Sequence, residues 1–168
     1  MLRLRKDVDW APRLRAEDLP LLSTRIEPTA WYPMDSFERI GLAILDVVAD
    51  GQMERVREFG RASVDWLALQ HPQLVAKGDP RETLMRFHVM RQGFFDFPAI
   101  ELLRITDGTA ALSITYQMGA IAEEAAAFQT MGFFERLLEV AFHRKVEASF
   151  TSRSWLGDAE TVLELRWS

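Results

Sequence analysis

The side chains suited to chemistry are few and widely spaced. The histidines are His71, His88 and His143, none three or four residues from another, and the chain has no cysteine. That spacing excludes the helical two-histidine metal motifs. The missing thiols exclude disulfides, thiolate ligands and a cysteine nucleophile. No Gly-x-Ser-x-Gly elbow and no glycine-rich phosphate loop is present, so acyl and phosphoryl transfer have no recognisable machinery. Glu123 and Glu124 cannot share a proton, because adjacent helical residues point apart, and they read as a solvated face. The assignment is therefore no catalytic residue, no metal and no cofactor.

Two residues have more suggestive neighbours. His88 follows Phe87 and precedes Phe94, Phe95 and Phe97. This is the one haem-like constellation, but it reads as a buried histidine bonded to a backbone carbonyl. Asp96 lies between Phe95 and Phe97, where apolar surroundings raise a carboxyl pKa; a loop aspartate capping backbone amides explains it as well. His143, ahead of Arg144 and Lys145, suits a helix C-terminus. Phe133-Phe134 and Phe94-Phe95 put aromatics on more than one face, which suggests that one set lines a ligand pocket or a protein interface. The residues assigned to such a pocket are Phe87, His88, Phe94 and Phe128. If the protein were instead an enzyme on a hydrophobic substrate, the general-acid candidates would be His88, Asp96 and Tyr116.

These groups must be positioned by regular elements. Asp35-Ser36-Phe37-Glu38 reads as a capping box, opening a helix with Phe37, Ile40, Gly41, Ile44 and Val48 on one stripe and a stop at Asp50-Gly51. A second helix is expected over 53–70, ended by Pro72. Gly60 and Ser63 thin its face, so a neighbouring helix can approach there; in a structural assembly protein they would form the interface. Asp79-Pro80-Arg81-Glu82 is the strongest helix start, with an N-cap and a proline in the first turn. A hairpin over 100–106 and 109–116 turns at Asp107-Gly108, the type I′ dipeptide. A long helix over 118–142, bending at Gly132, precedes strands over 145–154 and 161–167. The order ααα-ββ-α-ββ predicts an α+β fold with helices on one face of a four-stranded antiparallel sheet.

The 168 residues are 48% hydrophobic and 27% charged, with a net charge of −5. One domain with its own core is expected. No apolar run of about 18 residues exists to span a membrane, and no secretion leader opens the chain, so the expected compartment is the cytoplasm. The negative charge argues against a nucleic-acid face. Arg3, Arg5, Lys6, Arg13 and Arg15 make the first residues basic, which reads as a solvated terminus. The expected organisation is a basic, partly extended segment with a short helix over 1–30, then a single α+β domain over 31–168.

Trp31-Tyr32-Pro33 ahead of a helix resembles the signature of a bacterial family of unknown function. The likeness continues through Glu58-Phe59-Gly60-Arg61 and the Pro-Arg-Glu-Thr-Leu helix, and ends with Trp155, Gly157, Asp158 and a terminal Leu-Arg-Trp strand. It covers roughly residues 14–168. That family is similar to the superfamily of 4-vinyl-reductase domains, haem–NO-binding domains and TRAPP vesicle-tethering subunits. The resemblance implies a helical layer on a twisted antiparallel sheet, a homodimer, and binding of a small apolar ligand or a protein partner. Many 4-vinyl-reductase-like domains place cysteines around the last hairpin; here those neighbourhoods hold Arg153 and Thr161. The resulting expectation is a non-catalytic sensor or adaptor module. The alternatives are a 4-vinyl-reductase-like enzyme and a structural assembly subunit.

Overall fold

Period-two alternation builds the sheet. In the computed structural model, which describes residues 7–27 and 30–168, β1 (Ile100–Ile105), β2 (Thr109–Ile114), β3 (Val146–Ser152) and β4 (Thr161–Trp167) pair in the order β1-β2-β4-β3. All pairings are antiparallel. Leu112 faces Leu163 and Ala110 faces Leu165, while Phe150 and Ala148 meet the same β4 leucines from β3. Alternate residues point to one side of a strand, so these side chains share a face. Phe134, Leu137 and Leu138 of α5 (Ala120–Phe142) are wholly buried in the same core cluster. The other helices are α1 (Leu19–Ser23), α2 (Met34–Val47), α3 (Met53–Gln70) and α4 (Pro80–Met90). This is the expected α+β fold.

Helix α3 has the expected limits, and α4 starts as its signals require, with Asp79 Oδ1 accepting from the Glu82 amide at 2.8 Å. Two other local expectations give way. The Asp107-Gly108 turn is not type I′, which needs positive φ at both central residues; neither residue has it. Thr106 replaces that geometry, its Oγ1 accepting from the Thr109 amide at 3.0 Å. The box at Asp35 also does not form. Pro33 caps α2, its carbonyl accepting from the Ser36 and Phe37 amides, and Glu38 Oε1 accepts instead from the Gly119 amide at 2.9 Å. Helix α5 runs unbroken through Gly132.

Helices α3 and α5 cross at glycines. A Cβ on Gly60 would lie 1.9 Å from the Gln129 carbonyl oxygen, and one on Gly132 would lie 2.0 Å from that of Arg57. The close approach foreseen at Gly60 is therefore made by the chain's own α5, which corrects its reading as an interface between subunits. Beside the crossing, Glu135 is 2% exposed, and its carboxylate accepts from Arg57 Nε at 2.8 Å and from Arg57 Nη2. This raises the Arg57 pKa further above its ordinary value.

The N-terminal segment packs onto α2. Trp10 and Leu14 are buried with Ala43, while Arg13 and Arg15 are exposed as a solvated terminus requires; Arg3, Arg5 and Lys6 lie outside the described residues. Asp18 is fully buried and accepts from Arg39 Nε at 2.6 Å and Nη2 at 2.9 Å. The Arg39 guanidinium holds the Asp18 carboxyl well below the usual carboxylate range, against the opposing effect of burial. This clasp ties the start of α1 to α2.

Candidate functional site

Past the glycine crossing, α3 and α5 leave a gap that α4 does not fill. The result is a cavity of about 610 Å³, within the range of about 300–1,000 Å³ usual for small-molecule sites. Leu67 and Trp66 wall it from α3, Phe87 from α4, and Ala126, Thr130 and Phe133 from α5. Phe94, Phe95, Asp96 and Phe97, on the loop leading to β1, close one side. Trp31, Tyr32, Met34 and Phe37 close another. The aromatic rings brace one another: Phe87 lies 5.4 Å from Phe133 and 4.8 Å from Phe134, and Phe95 lies 5.5 Å from Tyr116. Trp31 and Trp66 are 63% and 65% exposed, which places them at the mouth.

Of the assigned pocket residues, Phe87 and Phe94 are on the cavity, while His88 and Phe128 are not. The half-buried His88 ring meets the Arg91 guanidinium, with Nδ1 accepting from Nε at 3.2 Å, instead of a backbone carbonyl. One helical position separates Phe87 from His88, about 100° around the axis, and only the first turns inward. Phe128 projects the other way from α5, 5.4 Å from Phe150 and 6.4 Å from Trp155. Trp155, Gly157 and Asp158 form the β3–β4 connection, where Gly157 has φ +100° and Asp158 Oδ2 accepts from the Arg153 amide at 2.6 Å. Trp31 and Tyr32 line the cavity, Pro33 caps α2, and Ser63 sits exposed on the rim. Among the described residues no helix is long and apolar enough to cross a membrane, and no three metal-ligating carboxylates or histidines gather.

Trp66 and Thr130 are lining residues that the sequence reading does not single out. Their convergence is set by tertiary packing, although the i, i+4 spacing of Ala126 and Thr130 carries part of the signal. Tyr116 and Thr130 are the buried polar side chains of the lining. Tyr116 O lies 2.6 Å from Thr130 Oγ1, which in turn donates to the Ala126 carbonyl at 2.8 Å. Burial pushes the Tyr116 hydroxyl up to about 12. The residue is held in place by Glu123, which is buried, not solvated as expected. Its carboxylate accepts from the Tyr116 amide at 2.6 Å and the Met118 amide at 3.1 Å. Of the three general-acid candidates, Asp96 and Tyr116 face the cavity and His88 does not. A hydroxyl with so high a pKa is a poor proton donor near neutral pH.

The fold is thus a helical layer on an antiparallel sheet, with an aromatic cavity between the helices and the sheet edge. The chain has the haem–NO-binding fold. An H-NOX protein from S. oneidensis in the Fe(II)NO ligation state is similar with a TM-score of 0.64 and 15% identity, over 86% of this chain and 81% of that one. A structure probing heme distortion in the H-NOX family gives 0.63 and 13%, over 99% and 90%. A mutant of T. Tengcongensis H-NOX gives 0.61 and 15%, over 98% and 91%. No family model matches the chain, and no curated protein matches it.

The lining does not fit a haem. Axial ligation calls for His, Cys, Tyr or a His/Met pair, and among the described residues no His or Cys lines the cavity. Tyr116 is held protonated, and Met34 has no histidine opposite it in the lining. Haem also carries two carboxylates, for which arginine and lysine are the natural partners. Among the described residues neither lines this cavity, and the charged groups there are Glu27 and Asp96.

Proposed function

We propose that the chain is a non-catalytic binding module whose cavity takes a small apolar molecule. The observation that carries the reading is the 610 Å³ cavity walled by aromatic side chains from four helices, the α4–β1 loop and the Trp31 segment. Such a module would serve as a sensor or adaptor in the bacterial cytoplasm, working as a homodimer or with a protein partner. A ligand shifts a protein only if it prefers one conformation. Here the preference would arise where Trp31 and Tyr32 close over α3 and α5. The likeness to ligand-bound H-NOX supports this by analogy of fold alone.

A 4-vinyl-reductase-like activity on a small hydrophobic substrate is the second reading, favoured by Asp96 and Tyr116 both lining the cavity. The high pKa of Tyr116 weighs against it. A structural assembly subunit loses its main support, because α5 already covers Gly60.

Isothermal titration of the purified chain with propylbenzene and 4-propylphenol tests the first reading. Saturable one-site binding with a raised melting temperature is expected. Ser63→Trp, which fills the rim, should weaken both ligands at least ten-fold while leaving the unliganded melting temperature unchanged. Absence of saturation up to the ligands' solubility, or undiminished binding by the variant, would overturn it.

A further inference from the structure

The hydrogen-bond direction inside the cavity specifies what polar group a ligand can carry. A threonine hydroxyl has one proton and two acceptor lone pairs. The Thr130 proton goes to the Ala126 carbonyl at 2.8 Å. The 2.6 Å contact between Tyr116 O and Thr130 Oγ1 must then be made with the tyrosine's own proton. In the opposite assignment Thr130 Oγ1 and the Ala126 oxygen would face each other with no proton between them. Both hydroxyl protons are thus committed to the protein, and what these two buried side chains retain is acceptor capacity: the lone pairs of the Tyr116 hydroxyl oxygen and the second lone pair of Thr130 Oγ1. The backbone of Tyr116 is pinned by the Glu123 carboxylate, and its ring is braced by Phe95 at 5.5 Å and Phe37 at 6.3 Å. The acceptor therefore stands ready-placed among aromatic side chains. The charged side chains of the lining are both carboxylates, Glu27 and Asp96, and both are exposed.

We propose that the cavity selects apolar molecules bearing one hydrogen-bond donor and no negative charge, such as alkylphenols, with the donor placed on the Tyr116 oxygen. The proposal rests on the cavity being a ligand site. A buried acceptor discriminates strongly: an analogue without the donor leaves it unpaired, and an analogue with an acceptor in its place adds repulsion. A carboxylate ligand would find neither a buried donor nor a cation, and would have to lose its hydration without compensation.

The test is isothermal titration of the intact chain with 4-propylphenol, 4-propylanisole, propylbenzene and 4-propylbenzoate. The phenol should bind about ten-fold tighter than its methyl ether, and the benzoate should bind at least ten-fold more weakly than propylbenzene. In Tyr116→Phe the preference of phenol over ether should fall below two-fold. Thr130→Val tests direction separately, since it frees the Tyr116 proton to point at the ligand. The ether should then gain at least three-fold over its affinity for the unaltered chain, a gain that loss of folding cannot produce. If all four compounds bind with affinities ordered by size alone, or the ether gains nothing in Thr130→Val, the donor selection is overturned while the binding reading stands. If none of them binds, both fall.

Discussion

Helices α3 and α5 meet in two contrasting ways along one contact. At the glycine crossing the backbones touch: neither Gly60 nor Gly132 leaves space for a methyl group, and Glu135 with Arg57 and Arg61 fills what remains. One turn further along α3, the same helices part around about 610 Å³ of space walled by aromatic rings. Protein interiors are normally close-packed, and a gap forfeits dispersion contacts. The pairing of a backbone-tight crossing with a retained gap sets up a division of labour: stability at the crossing, and the proposed binding in the gap.

The sharpest way to break this division is at the crossing. Gly60→Ala puts its methyl against the Gln129 carbonyl, which is helix backbone and cannot rotate away. A loss of about 3 kcal/mol or more is expected, above the ordinary range for overpacking, and Gly132→Ala should behave alike. Urea unfolding measures it; a loss under about 1 kcal/mol would show that the helices can slide apart and that the seam is not the stable region. Glu135→Gln comes next. It removes the charge between two guanidiniums that are each about one-quarter exposed. Breaking a fully buried pair costs roughly 3–5 kcal/mol; with solvent reaching both arginines, about 2 kcal/mol is expected, with affinity for 4-propylphenol unchanged.

Phe87 belongs to both regions, and it sharpens the comparison. Its ring lies 4.8 Å from Phe134 in the core and 6.3 Å from Phe94 beside the cavity. Phe87→Leu should lower stability by about 1.5 kcal/mol and also weaken 4-propylphenol several-fold. Movement of only one readout would assign Phe87 to one region.

What was legible in the sequence follows the range of the interactions. The limits of α3 and the start of α4 could be read because Pro72, Asp79 and Pro80 act on their own neighbours. The Asp107-Gly108 dipeptide misled because Thr106 offers its hydroxyl to the same amide. The Asp35 box misled because Pro33 supplies the first carbonyl of the ladder and Glu38 is drawn to Gly119 across the fold. Phe87 and Phe94 could be placed on a pocket from the density of phenylalanines around them. Phe128 could not be placed from the sequence, since its position away from the cavity is set by Phe150 and Trp155, which follow it far along the chain. Trp66 was invisible because its partners come from segments far away in the chain.

Trp66 gives the smallest expected change in stability and the cleanest test of the division. Its side chain is 65% exposed at the mouth, so little of its apolar surface is removed from water by folding. Exposed substitutions usually change stability by no more than about 0.5 kcal/mol, and Trp66→Ala should stay within that limit. A ligand entering the cavity would cover the indole, and an aromatic pair contributes about 0.5–1.5 kcal/mol beyond area burial. Affinity for 4-propylphenol should therefore fall roughly three- to ten-fold while the unfolding midpoint holds. Loss of stability comparable to that of Gly60→Ala would mean the mouth is part of the scaffold; unchanged affinity would mean the ligand enters elsewhere. The expected result separates the two regions on one helix, because Gly60 and Trp66 lie less than two turns apart on α3 and differ mainly in whether α5 is against them.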